Sequence, residues 1–303
     1  MLISNFFILL LLNYLPAIFH LFFIAFTLLS PFMPLDQPEE TEMTFLDHLE
    51  ELRWHVIRIV IAIGVFSIAA FIFSRYIFDY VILAPVKPDF ITYKWLCFLL
   101  NWATGSSEYC INEIPIKLQN LELGGQFAID MKVSFFSGLL ISLPYIFWEI
   151  WRFISPGLKE NERKYTTFFV FVVSGLFFTG AAFGYYILLP LTINFLGNYQ
   201  VSALVLNQIA ISSIVSTTVT LVFATGITFE LPILVYVLSK LGILSAAFLK
   251  AYRRHAIVLI LFVAAVITPP DVISQIFVSI PLYILYEISI LIATRVEQNN
   301  LKR

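Results

Sequence analysis

Charge is scarce in this chain, and so is cysteine. Of 303 residues only 13% are charged, where a soluble domain carries about 25%, while 60% are hydrophobic and 17% aromatic. With a mean hydropathy of +0.90, that shortage excludes a soluble globular domain and predicts an all-α polytopic membrane protein. No long basic run is present and the formal net charge is -2, so no nucleic acid partner is expected. The two cysteines, Cys97 and Cys110, share one polar segment without a C-x-x-C or a Cys/His cluster, so neither a metal nor a cofactor is expected. His48 and His55, seven apart and outside any H-E-x-x-H pattern, do not change this. No phosphate-binding glycine loop and no nucleophile with its base is visible, which argues against an enzyme.

What the chain has is long apolar runs separated by short polar connections. Residues 1–35 hold no Asp, Glu, Lys or Arg and are long enough to span a bilayer, but lack the basic start of a secretory signal. An extra span, an atypical signal and a start codon placed too early all fit, with Met33 and Met43 as later starts; the misplaced start is our expectation. Residues 36–55 form a polar N-terminus, ending in T-F-L-D-H-L-E-E-L-R-W-H. Phe45, Leu46, Leu49, Leu52 and Val56 recur at helical spacing there, which predicts an amphipathic helix on the membrane surface leading into the first span.

A membrane domain over 56–296 then reads as six transmembrane helices, at about 56–78, 127–150, 165–189, 208–238, 255–268 and 272–294, followed by a tail at 297–303. The polar segment from Asp79 to Gln126 is long enough for short helices that cap one side. Pro144 predicts a kink in the second span. The charge-free run 165–229 is too long for one helix, and Pro190, Asn194, Gly197, Asn198 and Gln200 mark the turn that divides it. The fifth span is short for a hydrocarbon core of about 30 Å. Connections 152–164 and 240–254 and the end of the chain carry most of the Lys and Arg, whereas turns 190–207 and 268–271 carry none. The positive-inside rule therefore predicts both ends in the cytoplasm. Cys97 and Cys110 then face the oxidising side, where a disulfide between them is expected.

Two places concentrate candidate chemistry. The connection W-E-I-W-R-F-I-S-P-G-L-K-E-N-E-R-K at 148–164 mixes charge, rings and helix breakers, and its Glu162 is either a solvated loop acid or a binding acid. Glu230, followed by Leu231 and Pro232, is a carboxylate at membrane depth beside a proline, which costs a few kcal/mol unless paired, protonated or watered.

The order and spacing of four motifs carry a family resemblance: H-L-E-E-L-R at 48–53, R-F-I-S-P-G-L with E-R at 152–163, F-E-L-P at 229–232 and T-P-P-D-V-I-S-Q at 268–275. Across about 44–296 the sequence resembles the TatC family, the multispanning component of the twin-arginine protein translocase of the bacterial inner membrane. The resemblance implies a receptor that uses the proton-motive force to export folded proteins whose signal peptides carry paired arginines. It implies a recognition site at Glu51, Arg53, Phe153, Pro156 and Glu162, and an intramembrane or assembly role for Glu230. Thr268 and Gln275 match positions where TatA- and TatB-type subunits dock, and self-oligomers and membrane lipid are further implied partners. The apolar 1–35 extension and the lengthened, cysteine-containing outer loop depart from the family pattern. A guanidinium offers a planar fork that matches a carboxylate with two bonds, so Glu51 and Glu162 brought together favour an arginine pair over a lysine pair. Phe153 supplies a wall beside them. The alternative is a secondary transporter for a small solute or ion, using Glu230 and Glu287; it requires matching broken helices in two halves, and Pro144 and Pro232 in spans two and four form no clear repeat.

Overall fold

The computed structural model describes residues 45–104, 117–154, 166–200, 202, 207–268 and 272–301. The chain divides into two units, Met1–Leu49 and Glu50–Arg303. Only the start of one helix is described in the first unit, and the expectations for 1–35 lie outside the described residues. The second unit is built of helices with one small pair of strands.

The first helix, α1, runs unbroken over Phe45–Ile72, so the expected surface helix and first span share one helix. Nothing in L-R-W-H-V-I-R breaks a helix, and the polarity change at Arg58 leaves the backbone undisturbed. A short helix α2 (Ser74–Ile77), a wide turn (Phe78–Ile82), a tight turn (Ala84–Val86) and helix α3 (Ile91–Thr104) follow, then strand β1 (Lys117–Gln119). The second apolar run is α4 (Gly125–Ile154), thirty residues with Pro144 inside.

The third run continues past the expected turn. Helix α5 (Thr166–Phe183) passes through a wide turn (Gly184–Leu188) into α6 (Leu189–Asn198), so Pro190 does not end it. The reason is local. Proline has no N–H for the carbonyl four residues earlier, that of Tyr186, and the Thr92 hydroxyl donates to that carbonyl instead. Asn194 and Asn198, expected to mark the turn, bond to each other within α6.

Strand β2 (Gln208–Ala210) pairs in parallel with β1, Lys117 opposite Gln208 and Gln119 opposite Ala210. Helix α7 (Ile211–Phe229) breaks at Glu230 and continues as α8 (Leu231–Lys240). A short α9 (Ala246–Ala251), α10 (Arg253–Ile267) and α11 (Val272–Leu301) complete the chain. The expected tail from 297 is helical through Leu301.

Among the described residues five stretches are long and apolar enough to cross a membrane: Glu50–Ile72, Gly125–Ile154, Phe169–Asn198, Ile211–Lys240 and Ser274–Gln298. The remaining expected span is α10, whose 15 residues reach only about 22 Å. Its exposed Val258, Leu259, Phe262 and Val266 are nonetheless all apolar.

Helix α5 packs chiefly against α7 and α4, while α11 packs against α8 and α10. The largest buried cluster, including Leu189, Leu221, Ala264, Val278 and Leu282, lies where α6, α7, α10 and α11 meet. Close approach depends on absent side chains: a Cβ at Gly184 would sit 2.4 Å from Thr225 Oγ1 and 2.8 Å from the Leu221 carbonyl oxygen. A Cβ at Gly138 would sit 2.4 Å from the backbone nitrogen of Ser67.

The segment after α1 forms the expected cap. The buried Tyr93 hydroxyl lies 3.1 Å from the Pro85 carbonyl oxygen and 3.0 Å from that of Pro190, donating a bond shared between them. Burial pushes its phenol pKa up. Tyr185 donates to the Val81 carbonyl at 2.7 Å, and Phe90 stacks on Tyr186. Cys97 is disulfide-bonded, while its expected partner Cys110 lies outside the described residues.

Two outcomes follow from this packing. Gly184→Val forces α5 and α7 apart and lowers stability by about 1–3 kcal/mol in a thermal melt of the detergent-solubilised protein; an unchanged melt would show that the close approach is dispensable. A maleimide reagent labels Cys97 in membranes only after reduction, and labelling without reductant would contradict the disulfide.

Candidate functional site

On the first turns of α1, Glu51 is half-buried and Arg53 exposed. Two residues along a helix turn the side chain by roughly 200°, so the two point to different sides. His55, one turn after Glu51, shares the Glu51 face and is only 4% exposed.

That face meets α4 at Glu149, which is 2% exposed. Its Oε2 accepts a 2.5 Å bond from His55 Nδ1. Its Oε1 accepts from the Tyr145 hydroxyl at 2.9 Å and stands 3.7 Å from an Arg58 guanidinium nitrogen. Tyr145, Glu149 and Phe153 are spaced by four and line one face of α4. Phe153 turns its ring edge-to-face to His55, centroids 5.9 Å apart. Trp151, two residues before Phe153, stacks on Phe169 of α5.

Of the expected recognition residues, the structure therefore brings the Glu51 face of α1 to the Phe153 face of α4 and turns Arg53 aside. Pro156 and Glu162 lie outside the described residues. The residue that joins the two helices, Glu149, is not among those the sequence singled out. It stands at the edge of the apolar run 127–150 and reads there as the first polar residue of the following connection. The fourfold spacing of Tyr145, Glu149 and Phe153 is the signal that a carboxylate faces inward.

A second group lies deeper. Glu230 occupies the break between α7 and α8, because Pro232 in the first turn of α8 cannot continue the bonding of α7. Among the described residues neither of its buried carboxylate oxygens has a partner in hydrogen-bond geometry, the Phe177 backbone being the polar group that approaches it. Thr268, at the end of α10, is buried and donates to the Ala264 carbonyl at 2.9 Å. Gln275, one turn into α11, donates to the Leu261 carbonyl at 3.1 Å and so ties α11 to α10. Glu287 is engaged too: it pairs with Arg253 at 2.7 Å and accepts from Tyr283 at 3.1 Å.

Comparison with known proteins bears on both groups. The family described as Sec-independent protein translocase protein (TatC) matches residues 47–281. A Sec-independent protein translocase protein TatC of a Blattabacterium strain is 40% identical over 257 residues, 84% of this chain and 96% of that protein. Its namesake from Helicobacter pylori strain J99 is 49% identical over 168 residues, 55% of this chain and 67% of that protein. A crystal structure of the twin-arginine translocase receptor TatC superposes with a TM-score of 0.61 at 31% identity, covering 82% of this chain and 99% of the other. The chain belongs to the TatC family of Sec-independent protein translocase proteins and is a multi-pass protein-transport component of the bacterial inner membrane.

Proposed function

We propose that this chain is the receptor subunit of a twin-arginine translocase, and that it binds the paired arginines of a signal peptide between the start of α1 and the connection that follows α4. The observation that carries this reading is the contact of His55 with Phe153. It sets the helix face bearing Glu51 beside the end of α4, from which the chain proceeds to Pro156 and Glu162.

The chemistry supports arginine over lysine. Glu51 is half-buried on the face of α1 whose His55 meets Phe153, and a carboxylate and a bidentate guanidinium gain more from each other there than in open water. Glu162 contributes the second acid, and Phe153 an apolar and cation–π surface. Arg53, turned to the other side, acts on the flanks of the peptide or on lipid. Pro156, which has no N–H to continue a helix, belongs to the same motif.

Glu230, Thr268 and Gln275 serve assembly. An orphan carboxylate in a membrane segment calls for water or a donor from outside, and a single-span TatA- or TatB-type subunit or the apolar stretch of a bound signal is the partner we assign to it. Thr268 and Gln275 flank the connection between α10 and α11 and offer polar positions for the same subunits. In this reading α10 crosses a locally thinned bilayer as the fifth of six spans, both ends face the cytoplasm, and self-oligomers form in the lipid. Translocation of folded proteins draws on the proton-motive force. The solute-transporter reading gains nothing from the comparisons, and Glu287, on which it also relied, is occupied by Arg253.

Photocrosslinkers placed at Phe153 and Glu162 capture a twin-arginine signal peptide, and at least about tenfold less of a twin-lysine one. Glu51→Ala abolishes the difference. Equal capture of both peptides would mean that these acids are solvated loop charges. For the deeper group, Glu230→Leu removes a buried carboxyl group that no described residue satisfies, so it stabilises the solubilised protein by about 2 kcal/mol while lowering export. A fall in stability would mean that the carboxylate is already paired, and would remove the argument for an external partner.

A further inference from the structure

The first helix is held in place by very little. Among its described side chains only His55, Ala62 and Ala70 are buried, while Val60, Ile61, Val65, Ile68 and Ile72 are exposed apolar residues. Alanine offers no projection to interlock with a neighbour, so α1 is not keyed into the bundle by its shape. Two fastenings to α4 stand out. One is the near touch of the Ser67 backbone on Gly138, where the Ser67 hydroxyl lies 3.5 Å from the Phe135 carbonyl oxygen. The other is Glu149, about 18 Å along the helix from the first.

These fastenings differ in kind. The Ser67 contact is a close approach with one long hydrogen bond, and a helix pivots easily about such a point. Glu149 draws two hydrogen-bond donors, His55 and Tyr145, and the Arg58 guanidinium at ion-pair distance onto one carboxylate, and His55 and Arg58 both come from α1 itself. A buried carboxylate enforces such an arrangement because losing a partner exposes it to an apolar interior.

We infer that Glu149 is a positioning residue for signal recognition: together with His55 it pins the otherwise pivoting end of α1 to α4, and so fixes the distance between the Glu51 face and Phe153. The inference rests on the receptor reading above. Glu149 itself does not touch the signal peptide, since its two oxygens are already occupied by its own chain.

The test uses the full chain in lipid nanodiscs, with spin labels on cysteines at the exposed positions Trp54 and Ile154. The distance between the labels and the binding of twin-arginine and twin-lysine peptides are measured on the same samples. Glu149→Ala broadens the distance distribution and weakens twin-arginine binding about tenfold. Glu149→Gln, whose amide oxygen still accepts from His55 or Tyr145, narrows the distribution again and brings binding within about threefold of the parent. Tyr145→Phe, which removes one donor and leaves the carboxylate paired with His55, gives an intermediate result should the alanine variant not fold. Weakened binding at unchanged distance would assign Glu149 to the peptide directly and overturn the inference, and so would a broadened distance with unchanged binding. A parent protein that binds both peptides equally would overturn the receptor reading itself, a failure visible before any variant is made.

Discussion

Lipid offers no hydrogen bonds, so each backbone group that a proline strands within an apolar helix has to be satisfied from inside the protein. This constraint shapes the bundle. At Pro190 the stranded carbonyl belongs to Tyr186 and is met by Thr92, from a helix some ninety residues earlier in the chain. The Pro190 carbonyl in turn accepts from Tyr93. The cap formed by α3 is therefore not a lid resting on the spans. It completes the hydrogen bonding of the third one, and the irregular backbone of that span persists because the cap is there.

Where no donor is supplied, the polar group becomes available for something else. Pro232 breaks the fourth long stretch as Pro190 interrupts the third, but the carboxylate beside it, Glu230, is left without a partner in hydrogen-bond geometry among the described residues. Glu149 is the opposite case, a buried acid with two hydrogen-bond donors and a guanidinium around it. The two show how burial sorts carboxylates of one chain. A satisfied acid fixes the relation of two helices, and an unsatisfied one stores a cost of a few kcal/mol that a ligand or subunit can relieve.

Much of this was legible in the sequence. Apolar runs predicted the order of the long helices, because a helix crossing lipid needs about twenty apolar residues and little else, although five long stretches stand among the described residues where six spans were expected. Their ends were less legible. Pro190 and its neighbouring asparagines read as a turn, and only the long-range bond from Thr92 explains why the helix continues. The pairing of β1 with β2 was invisible, since three residues on each side carry no periodicity. At the candidate site, Glu51 and Phe153 were found through motifs, whereas Glu149 passed for a loop residue. A charge at the end of an apolar run looks the same in sequence whether it faces solvent or a neighbouring helix. What distinguishes the two is a partner ninety-four residues away.

The short parallel ladder carries one more consequence, about the order in which the chain becomes a protein. Strands β1 and β2 are separated in sequence by α4, α5 and α6, so they can pair only after that helical hairpin has brought its two ends together. Pairing this remote costs loop-closure entropy first and returns a few hydrogen bonds afterwards, which makes it a late step. The ladder thus closes only on chains whose α4 and α5 already stand side by side, and so works as a clasp on a finished hairpin rather than as a seed for it.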